Sequence, residues 1–459
     1  MAKNNINRRD FLKIVGGTTA LTFAGCAGGA SRKGDTSASD DVPKDKMEYR
    51  TSPKGDKVSL LGYGCMRWPK LSTPAEDGNI CDQEAVNELV DYAIEHGVNY
   101  FDTAPVYMQG WSERTMGVAL SRYPRESYYL ATKLSNFGKP TWSREASMRI
   151  YHNSFAYLKT DYIDYMLLHA VGTPKNDSGR YLDNGMLDFL VEERAAGRIR
   201  NLGFSFHGSQ EGFDNFLNMH DTIKWDFVQI QHNYLDWRYA RDINPRNVNS
   251  EYLYGELKKR GIPVIIMEPL LGGRLASVPE YIAAQYKVAE PNNSIASWAF
   301  RYVGNFPEVL TVLSGMTYKE HLQDNIRNYA PLKPLSDENL TMLDNAAKMI
   351  MEYNAIPCND CKYCMPCPDG LDIPAILLHY NKCIFEESIV EESSDPKYRE
   401  ARRAFLVGYD RSVPKLRQAN RCTGCGECNH HCPQKIDIPK ELRKIDAYAQ
   451  ALKLKQNGL

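Results

Sequence analysis

Eight short apolar segments alternate with segments of helical periodicity between Lys57 and Gly315, and this alternation constrains the fold of the chain most strongly. The apolar segments are Val58–Tyr63, Asn99–Thr103, Tyr129–Lys133, Tyr165–His169, Asn201–Phe204, Phe227–Gln231, Pro263–Met267 and Val309–Leu313. Several are apolar on consecutive residues, as expected of strands buried on both faces of a parallel sheet. Amphipathic segments lie between them, such as Gln83–His96, Arg144–Leu158 and Ser250–Arg260. The pattern predicts an α/β fold with a TIM (β/α)8 barrel.

A doubly wound open sheet is the alternative fold for such a pattern. That fold binds dinucleotides through a Gly-rich turn after its first strand, and Gly62-Tyr63-Gly64 lacks the required spacing. The sequence therefore favours the barrel. With 459 residues the chain can form this barrel and a smaller second domain, and its net charge of −1 gives no indication of nucleic-acid binding.

Polar residues recur where the predicted strands end, and this end of a barrel is where active sites form. They are Asp102, Lys133, His169, Ser205, Gln229 and Glu268, with Tyr107 in the loop after the second strand. Hydride reduction of a carbonyl needs a proton donor at the developing alkoxide, and Tyr107 is the candidate. Lys133 is expected to lower the tyrosine pKa from its usual value near 10. We expect Asp102 to orient the lysine and His169 to bind the substrate oxygen.

Asp102, Tyr107 five residues on, Lys133 and His169 occur within Phe-Asp-Thr-Ala, Ala-Thr-Lys and Leu-Leu-His contexts. This set resembles the catalytic tetrad of the aldo/keto reductases, and the resemblance covers roughly Lys57 to Tyr329. It implies a barrel that binds a nicotinamide cofactor, NAD or NADP, without a Rossmann motif. The implied cofactor contacts are Ser205, Gln229, Met267, Ser314, Lys319 and Asn325. His321 stands where an arginine is common, which leaves the choice between NAD and NADP open.

Eight of the twelve cysteines form two quartets near the C-terminus. The first is Cys358, Cys361, Cys364 and Cys367; the second is Cys422, Cys425, Cys428 and Cys432; a proline follows each. The second reads C-x2-C-x2-C-x3-C-P, the bacterial run that ligates [4Fe–4S] clusters. Zinc and disulfides are the alternatives, but two four-cysteine runs ending in Cys-Pro favour iron–sulfur, and C-x2-C spacing makes poor bridges.

The quartets form an imperfect repeat that resembles two-cluster ferredoxins, in which the fourth cysteine ligates the other cluster. The resemblance assigns Cys358, Cys361, Cys364 and Cys432 to one cluster and Cys422, Cys425, Cys428 and Cys367 to the other. The spacing before Cys367 departs from that pattern by one residue. Cys383, between the quartets, is either a substitute ligand or a buried apolar residue.

The N-terminal segment Asn7-Arg8-Arg9-Asp10-Phe11-Leu12-Lys13 precedes a short apolar run and resembles a twin-arginine export signal. Cys26 follows small residues, as in a lipoprotein cleavage site. We therefore expect export to an extracytoplasmic location, with a lipid anchor at Cys26. Residues 27–50 are expected to be a disordered tether, 51–335 the barrel, 336–355 a linking helix and 356–445 a ferredoxin-like domain.

Together these features predict an exported oxidoreductase that interconverts a carbonyl and an alcohol and exchanges electrons through two clusters. A hydride carries two electrons and a cluster carries one, so a redox partner is required: a protein, a flavin or a quinone. The alternative hypotheses are an electron carrier with a vestigial barrel and an ordinary cytoplasmic reductase. We expect three loops to select the substrate: Trp68–Cys81, Ala170–Asp183 and Leu235–Asn249. Their composition suits a polyhydroxyl ligand, among others.

Overall fold

The computed structural model describes residues 42–390 and 392–454, and eight parallel strands close into a barrel within them. The barrel strands are β3 (Leu61–Gly64), β4 (Tyr100–Asp102), β5 (Tyr129–Leu134), β6 (Ile163–Val171), β7 (Ile199–Phe206), β8 (Phe227–Gln231), β9 (Val264–Met267) and β10 (Val309–Ser314). Each strand pairs with its neighbour in sequence, and β10 pairs with β3. The predicted TIM barrel is confirmed, and the open sheet is excluded.

Helices follow the strands around the outside of the barrel. They are α1 (Gln83–Glu95), α2 (Ser112–Leu120), α3 (Arg144–Leu158), α4 (Pro174–Asp177), α5 (Met186–Ala195), α6 (Gln210–Asn218), α7 (His220–Ile223), α8 (Asp236–Ile243), α9 (Ser250–Lys259), α10 (Glu280–Ala289), α11 (Ile295–Gly304) and α12 (Lys319–Tyr329). Asp82, Ser143 and Ser209 cap three of them by accepting a hydrogen bond from a first-turn backbone N–H. These caps satisfy N–H groups that have no partner inside a helix.

Aromatic side chains fill the barrel interior and make it a packed core. The ring of Tyr165 lies edge-on to those of Tyr100 and Phe227, with centroids 5.1 Å and 5.0 Å away. All three side chains are at most 1% exposed. This packing closes the barrel below the polar residues, so chemistry is confined to the ends where the strands terminate.

A hairpin of β1 (Tyr49–Thr51) and β2 (Lys57–Ser59) precedes the barrel. The first predicted strand, Val58–Tyr63, is therefore divided between β2 of this hairpin and β3 of the barrel. The tether predicted to reach residue 50 ends earlier, because Val42 and Met47 are buried against the barrel core. The twin-arginine segment, Cys26 and the tether up to residue 41 lie outside the described residues.

The cysteine-rich region forms a helical module with its own core. Helix α13 (Asp337–Met351) leads to it, followed by α14 (Ile373–Phe385), α15 (Tyr398–Ser412), α16 (Glu427–His431) and α17 (Ile438–Leu454). Apolar side chains of α14, α15 and α17 pack on one another, with Phe405 and Ile445 fully buried. The module therefore extends past the predicted limit of 445, and its helices build its own core. None of the helices within residues 42–390 and 392–454 combines the length and apolarity needed to cross a bilayer.

A candidate active site walled by the barrel and the cysteine module

A cavity of about 480 Å³ lies at the carboxyl ends of the barrel strands. Asp102, Tyr107, Lys133 and His169 all line it. Five of the six expected cofactor contacts line it too: Ser205, Gln229, Met267, Ser314 and Asn325. Lys319 does not, since its ammonium lies 4.8 Å from the centroid of the Tyr92 ring. The barrel thus brings together nearly all of the residues that the sequence singled out.

Lys133 and Asp102 form a buried ion pair at the floor of the cavity. Lys133 Nζ lies 2.5 Å from Asp102 Oδ1 and donates to the carbonyl oxygen of Thr103 at 2.7 Å. The lysine is 1% exposed and the aspartate 2%. Burial raises the pKa of Asp102, while the lysine opposes that shift. Asp102 therefore holds the ammonium of Lys133 in place.

Tyr107 lies 4.9 Å from Lys133, measured from the ammonium to the ring centroid. The pKa of Tyr107 nevertheless lies well above its ordinary value, because burial and then the charges of Asp102, Cys65 and Glu268 oppose ionisation. The expected lowering by Lys133 is therefore not found. The positive charge is largely balanced by Asp102, so Tyr107 is a phenol at neutral pH, the form that can donate a proton.

His169 is neutral and oriented by its neighbours. Burial and the nearby charges of Lys133 and Arg180 hold its pKa well below the ordinary value. Its Nδ1 lies 2.6 Å from the hydroxyl of Ser135. When that hydroxyl donates to Nδ1, the proton of the neutral ring resides on Nε2 and is available as a hydrogen-bond donor. Ser135 was not anticipated from the sequence, although it lies only two residues after Lys133.

One wall fits the carboxamide of a nicotinamide. Gln229 is 2% exposed, and its Oε1 has no hydrogen-bond partner among the described residues. Ser205 Oγ accepts from the backbone N–H of Ala170 at 2.9 Å, which leaves its own proton to donate. A buried acceptor without a partner is costly, and an amide N–H of a ligand would satisfy it. These two residues therefore fit the group that the family resemblance implies.

Glu268, directly after β9, is an ionisable group facing the same cavity. Burial raises its pKa to about 7, opposed by the charge of Arg67. Its Oε1 accepts a hydrogen bond from Asn359 at 3.2 Å. Its φ of +57° is a strained backbone conformation for a residue with a side chain.

The cysteine module supplies the remaining wall of the cavity. Asn359, Cys361, Tyr363 and Pro433 line it. Arg67 fastens the module to the barrel by an ion pair with Asp360 at 2.6 Å and a hydrogen bond to the carbonyl oxygen of Asn359 at 3.1 Å. At Gly272 a Cβ atom would lie 1.9 Å from that same oxygen, so only glycine permits this approach. None of the loops expected to select substrate, Trp68–Cys81, Ala170–Asp183 and Leu235–Asn249, contributes a residue to the cavity.

The first cysteine group converges on a small cavity of its own. Cys358, Cys361, Cys364 and Cys432 line a space of about 20 Å³ beside the active-site cavity. Burial raises the pKa of Cys364, and neighbouring thiols raise it further, first Cys361, then Cys358 and Cys432. This set of four is the one assigned by the ferredoxin resemblance. Cys361 lines both cavities and so connects them.

The second group gathers around Cys428. Its pKa is raised to about 11, mainly by burial and then by the thiols of Cys422, Cys367 and Cys425. Cys367 is therefore close enough to Cys428 for its thiol to affect that pKa. Within the described residues no three His, Cys, Asp or Glu side chains are arranged to hold a single metal ion, and all eleven cysteines are free thiols. Cys383 is 2% exposed, with its sulfur 3.6 Å from His379 Nε2, and it packs in the module core.

Comparison with known proteins adds the family context. The model of the Aldo/keto reductase family matches residues 60–348, ending before the first quartet. A probable aldo-keto reductase of Glycine max is 32% identical over 226 residues, which cover 47% of this chain but only 57% of that protein. The L-galactose dehydrogenase of Arabidopsis thaliana is 24% identical over 65% of this chain and 92% of its own length. An aldo-keto reductase from Bacillus halodurans shares the barrel fold, with a TM-score of 0.52 and 23% identity over 65% of this chain and 96% of its own.

Proposed function

The chain belongs to the aldo/keto reductase family of oxidoreductases, and from this premise we propose that it interconverts a carbonyl and an alcohol and exchanges the electrons through two [4Fe–4S] clusters. One observation carries the proposal. Cys361 lines the cavity that holds Asp102, Tyr107, Lys133 and His169, and it also lines the cavity of the first cysteine group. The proposed site of hydride chemistry and the proposed site of electron transfer would therefore share a wall.

In the reduction direction the protein's own residues bind and protonate the substrate oxygen. His169 Nε2–H orients that oxygen by a hydrogen bond, and the phenol of Tyr107 donates its proton as the negative charge develops. Lys133 lies 4.9 Å from the centroid of the Tyr107 ring, but its ion pair with Asp102 offsets most of the stabilisation that its charge would give the remaining phenolate. A nicotinamide held against Ser205 and Gln229 would supply or accept the hydride.

Two groups of thiolates would hold the clusters. Cys358, Cys361, Cys364 and Cys432 form the site nearer the active site, and Cys367, Cys422, Cys425 and Cys428 form the outer site. Each cluster would carry one electron, so two clusters would hold the two electrons of one hydride after a flavin, a quinone or a partner protein has divided them. Cys425 is exposed, which gives the outer site access to a redox partner.

The cofactor end of the cavity favours NAD over NADP. Glu320, His321 and Asp324 line it there, while Lys319 points to Tyr92. A 2′-phosphate requires charge-assisted donors such as Arg or Lys, and carboxylates repel it. A carboxylate instead accepts hydrogen bonds from a ribose hydroxyl, as in other NAD sites.

The substrate is proposed to be a small polyhydroxylated compound. Arg67, His207, Glu268 and Asn359 add donors and acceptors around the tetrad. The similarity to an L-galactose dehydrogenase supports the same class. Polar groups in a closed cavity discriminate strongly in favour of a ligand that can satisfy them.

The redox partner is proposed to be an acidic protein. Between Arg411 and Lys444 the module carries eight Lys and Arg residues against three Asp and Glu, and all eight are exposed. They flank the outer cysteine group, and the Arg443 guanidinium lies beside Gly424. Complementary charge would steer such a partner to the exposed Cys425.

We further propose export by the twin-arginine route and a lipid anchor at Cys26, on the strength of Arg8-Arg9 and the small residues before the cysteine.

The decisive experiment uses the full chain purified without oxygen. Iron analysis should give about eight irons per chain, falling to about four in Cys432→Ser and in Cys367→Ser. The purified protein should oxidise NADH with methylglyoxal as probe carbonyl, and Tyr107→Phe should lower this rate at least a hundredfold with NADH binding retained. Tyr157→Phe, on the outer helix α3, is the matched control. Full cluster content without any nicotinamide-dependent turnover would instead support the electron-carrier hypothesis.

A further inference from the structure

The loop after β6 folds back onto the strand that carries His169. It contains a π-helical turn, Ser178–Leu182, in which the backbone N–H of Asp183 donates to the carbonyl oxygen of Ser178 at 2.8 Å. Turns of this kind are rare and are frequently found at functional sites. No side chain of this turn lines the cavity, so any effect on the reaction has to pass through another residue.

Two neighbouring side chains of the turn, Arg180 and Tyr181, converge on one backbone carbonyl. Arg180 Nη2 donates to the carbonyl oxygen of His169 at 2.6 Å, and the Tyr181 hydroxyl donates to the same oxygen at 2.8 Å. Both side chains are buried, with Arg180 4% exposed. The backbone leaves the regular strand here, because the pairing of β6 with β7 shifts register and Ala170 has a φ of +57°. A buried carbonyl that leaves the ladder needs other donors, and the turn supplies them.

The same arginine is connected to the imidazole of His169 through three consecutive residues after β5. Asn136 Oδ1 accepts from Arg180 Nε at 3.3 Å, and Asn136 Nδ2 donates to the Arg180 carbonyl oxygen at 2.8 Å. The Ser135 hydroxyl lies 2.6 Å from His169 Nδ1. The ring of Phe137 contacts both groups, with its centroid 4.7 Å from that of the imidazole and 5.0 Å from the guanidinium carbon. Arg180 therefore supports His169 from the backbone side and from the ring side.

We propose that Arg180 is a positioning residue for the reaction of the barrel, which holds His169 so that its Nδ1 stays on Ser135 and its Nε2–H stays available to the substrate oxygen. The proposal rests on the proposed function. Arg180 contacts neither substrate nor cofactor in this role and exchanges no proton. A lysine would serve it less well, because only the planar guanidinium directs several N–H groups at fixed angles.

The charge of Arg180 acts in the same direction. Burial lowers the pKa of His169, and the charges of Lys133 and then Arg180 lower it further. The ring thus stays neutral, and its Nδ1 remains an acceptor for a hydroxyl proton. Asp177 lies 3.7 Å from Arg180 and offsets part of this charge. The other titratable groups facing His169 are Tyr107 and His207.

The first test needs no turnover. The full chain is labelled with 13C-histidine, and the His169 signals are identified by their loss in His169→Asn. The 13Cδ2 shift distinguishes the two neutral tautomers. At about pH 8, above the ordinary histidine pKa, the unsubstituted protein should show only the Nε2–H form. Arg180→Lys should give a mixture of the two forms, because the ring is no longer held on Ser135.

Arg301→Lys is the matched control and should leave the His169 signals unchanged. Arg301 is also 4% exposed and donates to a backbone carbonyl, that of Lys333, but it does not line the cavity. An unchanged, pure Nε2–H signal in Arg180→Lys would overturn the inference, as would the Nδ1–H form in the unsubstituted protein. If Arg180→Lys does not fold, Tyr181→Phe removes one donor to the same carbonyl and should shift the same signals. These outcomes do not depend on carbonyl reduction, so failure of the proposed function is recognised separately.

The second test is a double-mutant cycle with His169. Arg180→Lys should lower kcat for methylglyoxal reduction about tenfold or more, because a small displacement of a catalytic group is enough for such a loss. KM for NADH and the iron content should not change. In a His169→Asn background the same substitution should alter kcat by less than about twofold, since Arg180 acts through His169. Equal losses in both backgrounds would show a merely structural role and contradict the proposal.

Discussion

Lys133 carries a positive charge at a position almost closed to water. Its ion pair with Asp102 determines how strongly that charge acts on the other groups of the cavity. A buried charge is tolerated only with a partner that compensates the lost hydration. Asp102 supplies this compensation, but in doing so it weakens the influence of the lysine on Tyr107. The tetrad is therefore better described as an ion pair beside a neutral phenol and a neutral imidazole than as a lysine that activates a tyrosine.

Replacement of Asp102 by Asn should leave Lys133 buried without a counter-charge. We expect a loss of about 3–5 kcal/mol in the free energy of unfolding, measured by urea denaturation with tryptophan fluorescence. Asp344→Asn removes the partner of two exposed cations, Arg238 and Lys348, and should cost no more than about 1 kcal/mol. Equal effects of the two substitutions would show that the buried pair has no special role in stability.

His232 makes stability depend on pH in a predictable direction. It is fully buried, its Nδ1 lies 2.8 Å from the Ser250 hydroxyl, and burial lowers its pKa to about 3. Between about pH 6.5 and pH 3, His232 is therefore protonated in the unfolded chain and neutral in the folded protein. The unfolding free energy should therefore fall by about 1.4 kcal/mol per unit as pH drops below about 6.5. His232→Gln should reduce this slope; comparison of the two proteins removes the contributions of other groups, and identical slopes would refute the assignment.

The turn after β9 shows how a short element joins two modules. Glu268, Leu271, Gly272 and Gly273 all have positive φ, so the chain folds tightly enough to meet the loop at Asn359. This contact brings Cys361 and Tyr363 to the cavity. The conformation is strained for residues with side chains, and the interactions of Arg67 and Asn359 offset that strain.

Gly272→Ala tests this junction against an internal control. The added Cβ would clash with the Asn359 carbonyl, whereas the Cβ of Gly261→Ala meets no atom within 4 Å. The φ angles of Gly272 and Gly261 are +65° and +64°, so the backbone strain is matched and the difference isolates the contact between modules. Gly272→Ala should cost about 1–3 kcal/mol more and increase hydrogen exchange in residues 356–365. If both variants showed the same hydrogen exchange in residues 356–365, the turn would not be what holds this loop in place.

The whole molecule places its candidate redox sites in a sequence from the barrel cavity to the surface. The tetrad lies innermost, the first cysteine group shares Cys361 with the cavity, and the second group reaches solvent at Cys425. The exposed Lys and Arg residues between Arg411 and Lys444 flank the second group in the sequence. This order matches the proposed passage of electrons between a small substrate and a protein partner.

Charge reversal should separate this outer step from the chemistry. Arg421→Glu, Lys435→Glu and Arg443→Glu together should slow electron transfer to an acidic flavodoxin about tenfold or more at low salt and flatten its salt dependence. Transfer to uncharged duroquinone should be unaffected. Arg149→Glu, Lys159→Glu and Lys333→Glu, on the barrel, form the control. Equal slowing with duroquinone would indicate a damaged cluster rather than a lost docking surface.

The sequence by itself determined the barrel, the four residues Asp102, Tyr107, Lys133 and His169 as a candidate set, and the presence of two cysteine groups. Apolar periodicity and strand ends depend on local residue order, so Asp102, Lys133 and His169 were found from position alone. Only the tertiary structure decided that Cys361, Tyr363 and Asn359 wall the catalytic cavity. Their positions depend on the contacts that Arg67 and Gly272 make with the loop at Asn359. Gly272 precedes that loop by nearly 90 residues and Arg67 by many more, so no local sequence pattern encodes these contacts. The same holds for the Tyr107 pKa, which follows from burial and the sum of surrounding charges rather than from one neighbour.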